Sequence, residues 1–215
     1  MSKTKQSFLN SWVRTNLLVY PLSLGILHPL LSHGLFGDHG VELSLPQLLM
    51  HTIAMCLFAL LLAAGQNKAL RILLPRLGLL DGALYLVVLA PLAFWTGYYT
   101  LYIPYDILFM LLSIGGINAV RLRPYVQQPR KWVGQSMLVY FLGAAAGIAV
   151  GMAAFFGGVK DLPGLWRDLS LWVAISTPAG AVIAYGGKAF LKKQVVEAGA
   201  LPEPKRARAA AAAPL

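Results

Sequence analysis

Apolar residues in this chain gather into six long runs, at 12–33, 46–64, 81–99, 104–120, 132–156 and 169–191, with polar or basic connections between them. Crossing about 30 Å of hydrocarbon takes roughly 20 mostly apolar residues in a helix. The fourth run is the shortest, and none carries an acidic residue at its centre. Lipid offers no partner to backbone N–H and C=O groups, so runs of this kind predict helices rather than strands. The expected fold is therefore all-α, a polytopic membrane protein with six transmembrane helices. The first run is too long, and too interrupted by Pro21 and Pro29, for a cleaved signal peptide.

The distribution of positive charge sets the expected threading. Of the 18 Lys and Arg residues, only Lys160 and Arg167 fall on the side of the odd-to-even loops. All others lie before or at the start of the first run (Arg14), between the second and third, between the fourth and fifth, or at the end of the sixth (Lys188) and beyond it. Short cytoplasmic loops are the ones enriched in Lys and Arg, so both termini are expected in the cytoplasm. Residues 1–11 then form a cytoplasmic N-terminus, 12–191 a six-helix transmembrane domain, and 192–215 a basic, Ala- and Pro-rich tail with no apolar face to bury. Within the second connection, Leu70, Leu73, Leu74 and Leu77 recur at helical spacing among basic residues. That pattern predicts an interfacial helix at 66–78.

Composition agrees with the pattern. The chain is 58% hydrophobic and 12% charged, where soluble domains carry about 25% charged residues. Its net charge of +10 is accounted for by the basic cytoplasmic rim, so nucleic acid is not an expected partner. Cys56 is the single cysteine, which rules out an intrachain disulfide. The expected setting is a bacterial inner membrane. The expected partners are membrane lipids with either further copies of the chain or other membrane subunits.

Candidate chemistry concentrates in one stretch. His28, His33, His39 and His51, together with Asp38 and Glu42, lie between residues 28 and 51, and Lys and Arg are absent there. His28 sits about five residues before the end of the first run and His51 five after Pro46. Both are then roughly 8 Å below the same surface. Two imidazoles at one depth could ligate a haem iron, and the four histidines together form a candidate zinc or copper set. His28 and His33 do not share a helix face, however, and the stretch lacks established metal-motif spacing. The plainer expectation is that these histidines hydrogen-bond to water or neighbouring helices, at a cation-friendly, pH-sensitive mouth.

Three further groups complete the reading. Gly143, Gly147 and Gly151 repeat every fourth residue, a flat stripe for close helix packing, either within the bundle or between copies. Ser176, Thr177 and Pro178 interrupt the sixth run, as in broken helices that line substrate or pore sites. Trp95, Tyr98, Tyr99, Tyr102 and Tyr105 form an aromatic belt at the outer interface. Asp81 and Asp106 are expected at helix N-termini, where the helix dipole favours a carboxylate. No P-loop, nucleophile elbow, channel filter or mid-membrane carboxylate is present. The sequence therefore favours a small, oligomeric channel or transporter with no catalytic residues. The alternatives are an anchor or assembly subunit of a larger membrane complex, haem-bearing through His28 and His51, and a lipid-handling enzyme.

Overall fold

A computed structural model describes residues 3–33, 45–75, 77–100, 105–123, 126 and 128–194. Every element among them is helical. The first rod combines α1 (Lys3–Val19), a wide π-helical segment (Tyr20–Leu27) and α2 (His28–His33). After it come α3 (Leu45–Leu70), α4 (Ala83–Thr100), α5 (Tyr105–Leu122), α6 (Pro129–Phe156) and α7 (Gly164–Gln194). The π segment begins at Tyr20, next to Pro21, which lacks an N–H and whose ring crowds the carbonyl one turn back. The helix widens there, and the His28 N–H reaches Ser23 O, five residues behind it.

All six rods lie where the apolar runs place helices. Three contain stretches long and apolar enough to cross a membrane: Leu49–Leu70, Arg130–Phe156 and Gly164–Lys193. This is half of the expected six. The described apolar parts of α4 and α5, Ala83–Leu92 and Leu108–Leu122, are shorter. The first rod opens with Lys3, Lys5, Gln6, Asn10 and Arg14, which dilute its apolar character.

The 66–78 stretch is not a separate helix. Its first residues complete α3, and the rest turns back through Leu73 and Leu77, both buried against α1 and α5 residues. Asp81 likewise precedes α4 instead of capping it. Its Oδ2 accepts the Gly78 N–H at 2.8 Å and closes the turn between α3 and α4.

Neighbouring rods run antiparallel and close into a ring in the order first rod, α3, α4, α5, α6, α7 and back to the first rod. Asn16 meets Gln66 at one end of the first pair, and His28 meets His51 at the other. The ring interior is filled by Tyr20, Phe58, Leu62, Leu86, Ile114 and Tyr140, all buried. Tyr20 stands edge-on to Phe58, with ring centroids 5.4 Å apart, and to Tyr140 at 6.5 Å.

The glycine stripe of α6 is used inside this ring. A Cβ on Gly143 would lie 3.1 Å from Ala179 O, and one on Gly147 would lie 2.6 Å from Ile175 O. A Cβ on Gly151 would collide with the Ile175 side chain. The stripe therefore packs on α7, the within-bundle alternative of the two that its spacing allowed. Gly147→Leu is expected to lower the stability of the detergent-solubilised protein by about 1–3 kcal/mol or more, as overpacking does. Gly134→Ala, with no neighbour within 4 Å, should instead stabilise by up to about 1 kcal/mol through helix propensity. Thermal unfolding followed by circular dichroism measures both.

Candidate functional site

Polar side chains should be rare inside an apolar bundle, since burying one without a partner costs roughly 2–7 kcal/mol in an apolar medium. Here they cluster at the two ends of the ring, joined along one face of the first rod.

At one end, α5 carries Arg121 inward, only 8% exposed. Its Nε donates to Asn118 Oδ1 at 3.1 Å, and one terminal nitrogen donates to Asn67 Oδ1 at 2.7 Å. The other terminal nitrogen donates to Gln66 Oε1 and to Asn118 Oδ1 at 2.9 Å. Asn67 in turn shares its NH₂ among the carbonyls of Gly78, Leu79 and Asp81, at 3.2, 3.0 and 2.9 Å. Gln66 donates to Asn16 Oδ1 at 3.3 Å, and Asn118 donates to the Tyr140 hydroxyl at 3.1 Å. One guanidinium thus ties together α1, α3, α5, α6 and the turn before α4. Gly82, at φ +69°, belongs to the same arrangement, because a Cβ there would be strained and would lie 2.9 Å from Arg121 Cγ. Beside the cluster is a cavity of about 10 Å³, room for roughly one water, lined by Trp12, Asn118, Ser136, Tyr140 and Gly187 among others.

The opposite end holds the expected histidines. His28 and His51 are both buried, and His51 Nδ1 lies 2.9 Å from His28 Nε2, a direct hydrogen bond between imidazoles. Their ring centroids are 4.8 Å apart, and the Trp172 ring of α7 has its centroid 4.7 Å from that of His28. Fifteen residues of α3 separate His51 from Gln66, so the two polar ends are about 22 Å apart along the bundle.

Between the ends, the first rod presents Asn16, Tyr20, Ser23 and His28 to the interior, each at most 2% exposed. Ser176 of α7 faces the same region, its Oγ only 2.6 Å from where a Cβ on Gly25 would stand. The buried Ser23 and Ser176 hydroxyls and Trp12 Nε1 have no hydrogen-bond partner among the described residues.

The remaining candidates disperse. Thr177 is exposed on the outside of α7, so Ser176, Thr177 and Pro178 do not line one site. Trp95 Nε1 donates to Thr52 Oγ1 at 3.0 Å and joins α4 to α3 next to His51. Tyr98 and Tyr99 lie in α4 and Tyr105 opens α5, but their side chains, like Tyr102, lie outside the described residues. His33 ends α2 with its side chain outside them too, as is His39.

The histidine geometry also tests the cofactor expectations. Imidazole nitrogens bind metals such as zinc at about 2.0–2.1 Å, so an axial pair on one iron would stand about 4 Å apart. A 2.9 Å N···N contact does not fit a haem between His28 and His51. Among the described residues no three His, Cys, Asp or Glu side chains converge on a metal position.

Sequence reasoning counted Arg121 as a loop charge and overlooked its cluster. The available signal was four amides, Asn16, Gln66, Asn67 and Asn118, lying within or beside apolar runs. No protein family, curated protein or solved structure matches the chain.

Removing the guanidinium would leave three amide oxygens buried without donors. Arg121→Met is therefore expected to cost about 3 kcal/mol or more. Arg123→Met, at an exposed position, should change stability by no more than about 0.5 kcal/mol. Parallel thermal melts of the two variants distinguish them.

Proposed function

We propose that the chain is a small channel or transporter of a bacterial inner membrane, with six spans and both termini cytoplasmic. The observation that carries the reading is the row Asn16, Tyr20, Ser23 and His28, buried along one face of a rod whose opposite face is apolar. Polar side chains inside a membrane bundle are costly, and ionisable ones that face the bundle interior mark substrate and ion pathways. A row linking two polar ends is suited to conducting a small hydrophilic species.

Two patterns support the six spans. Leu18, Leu22, Ile26 and Leu30 are exposed at every fourth residue of the first rod, and so are Leu49, Ile53, Leu57 and Leu61 of α3. Leu84, Val88 and Leu92 continue the pattern on α4. Such stripes are suited to hydrocarbon, including on rods that are less apolar overall. In addition, Lys68, Arg71, Arg123, Arg130, Lys131, Lys192 and Lys193 belong to the end that holds Arg121, as the positive-inside rule requires of the cytoplasmic face.

Arg121 shapes the expected transport. A fixed positive charge at one end of a narrow path opposes the passage of cations. An open cation pore is therefore disfavoured relative to a gated transporter.

Two measurements test the reading. In a Cys56→Ser background, Lys68→Cys and Lys160→Cys should react with an impermeant thiol reagent from opposite faces of the membrane. Labelling from one face would refute the threading. Proteoliposomes assayed for water, protons, monovalent ions and small neutral solutes should pass at least one species faster than protein-free liposomes. No flux in any assay would remove the transport reading.

A further inference from the structure

We infer that the His28–His51 pair is a proton-loading site, a buried acceptor that takes up one proton and thereby couples transport to the proton gradient. This rests on the transport reading above and names the ion that the histidine end would handle. The spacing is the first reason. At 2.9 Å, His51 Nδ1 and His28 Nε2 share one N–H between them. In the neutral pair one ring donates that proton and the other accepts it. An added proton settles on an outer ring nitrogen, and the hydrogen bond spreads the resulting charge over both rings. If a proton then leaves the outer nitrogen of the partner ring, the shared proton crosses the bond. One proton has entered, one has left, and both rings are again neutral with their tautomers exchanged.

The surroundings are the second reason. The Trp172 ring centroid is 4.7 Å from that of His28, within the roughly 6 Å over which an aromatic ring attracts a cation. A tryptophan here stabilises an imidazolium that the apolar bundle would otherwise disfavour. Among the described residues, the titratable group shown against His28 on α3 is His51. On α7, Asp168 stands one turn before Trp172 and pairs with Arg167 at 3.3 Å. A second proton is resisted, because two imidazolium rings 4.8 Å apart would repel each other.

The third reason lies deeper in the bundle. Beyond His28 come Ser23 and Ser176, whose buried hydroxyls make no hydrogen bond to His28 or to each other among the described residues. A proton moves between groups that are hydrogen-bonded, so one loaded at the histidines has no bonded path onward through these hydroxyls and is held at that end.

Histidine ¹⁵N NMR of the full chain in nanodiscs, titrated with acid, tests the proposal. Signals from His28 and His51, identified by His28→Gln and His51→Gln, should move together as a pair that takes up a single proton. Trp172→Leu should weaken that uptake by about tenfold, the size of a partly desolvated cation–π contact. Trp172→Phe should have a smaller effect and guards against misfolding of the leucine variant. Two independent titrations, or rings that stay neutral down to the pH of unfolding, would overturn the proposal. The titration does not require flux. A coupled pair in a protein that passes no solute would remove the transport reading and leave the proton site standing. The reverse result would do the opposite.

Discussion

The ring can close at its polar end because one buried positive charge is shared among several helices. Arg121 cannot lose its proton at any relevant pH, so folding must surround a permanent charge with oxygen atoms. It does so with the side-chain carbonyls of Gln66, Asn67 and Asn118. Those acceptors come from two helices that are not ring neighbours, since α4 stands between α3 and α5. Satisfying the guanidinium therefore fixes the spacing across α4. The second role of Asn67, holding the carbonyls of the 78–81 turn, then sets where α4 begins.

The opposite side of the ring is held by a different kind of contact. Apolar side chains gain little by leaving lipid for protein, so close packing has to supply the adhesion between helices. α7 provides it with small residues on several faces. Ala179 and Ile175 receive the glycine stripe of α6, while Gly180 and Gly187 receive Tyr20 and Trp12 of the first rod. This side has shape complementarity but few hydrogen bonds. Ser23 and Ser176 could be expected to bridge it, yet neither hydroxyl is partnered there among the described residues. The π segment, which packs against α7 beside Ser176, carries the wider i→i−5 pattern in place of the α-helical one.

Much of the frame was legible in the sequence because the bilayer imposes a simple code. Run lengths located all six rods, and counting residues from the run ends placed His28 and His51 at one depth, where they indeed meet. The sequence could not show that they would bond to each other instead of flanking a metal, since a depth estimate says nothing about the last angstroms. Arg121 was misread for a related reason. Topogenic counting treats every basic residue near a run end as a loop charge, but this one turns inward while Arg123, two residues on, remains exposed. Small residues such as the glycines of α6 declare close packing without naming the partner, so the choice between α7 and a second copy needed coordinates. Thr177 shows the same limit, because a polar residue beside a helix-interrupting proline can face either way.

The two polar ends make opposite electrostatic demands on anything that passes. On the proposed reading the histidine end alternates between neutral and singly positive, whereas the Arg121 end is positive at all times. A cation entering from the histidine side would meet a rising barrier, and among the described residues Tyr20, Phe58 and Tyr140 fill the middle of the ring. Charging the histidines places a second positive centre about 22 Å from the first along α3, too far for strong direct repulsion but within an apolar interior that screens poorly. The two ends are joined along the interface between the first rod and α7, which runs from Trp172 beside the histidines to Gly187 against Trp12, next to the Arg121 cluster.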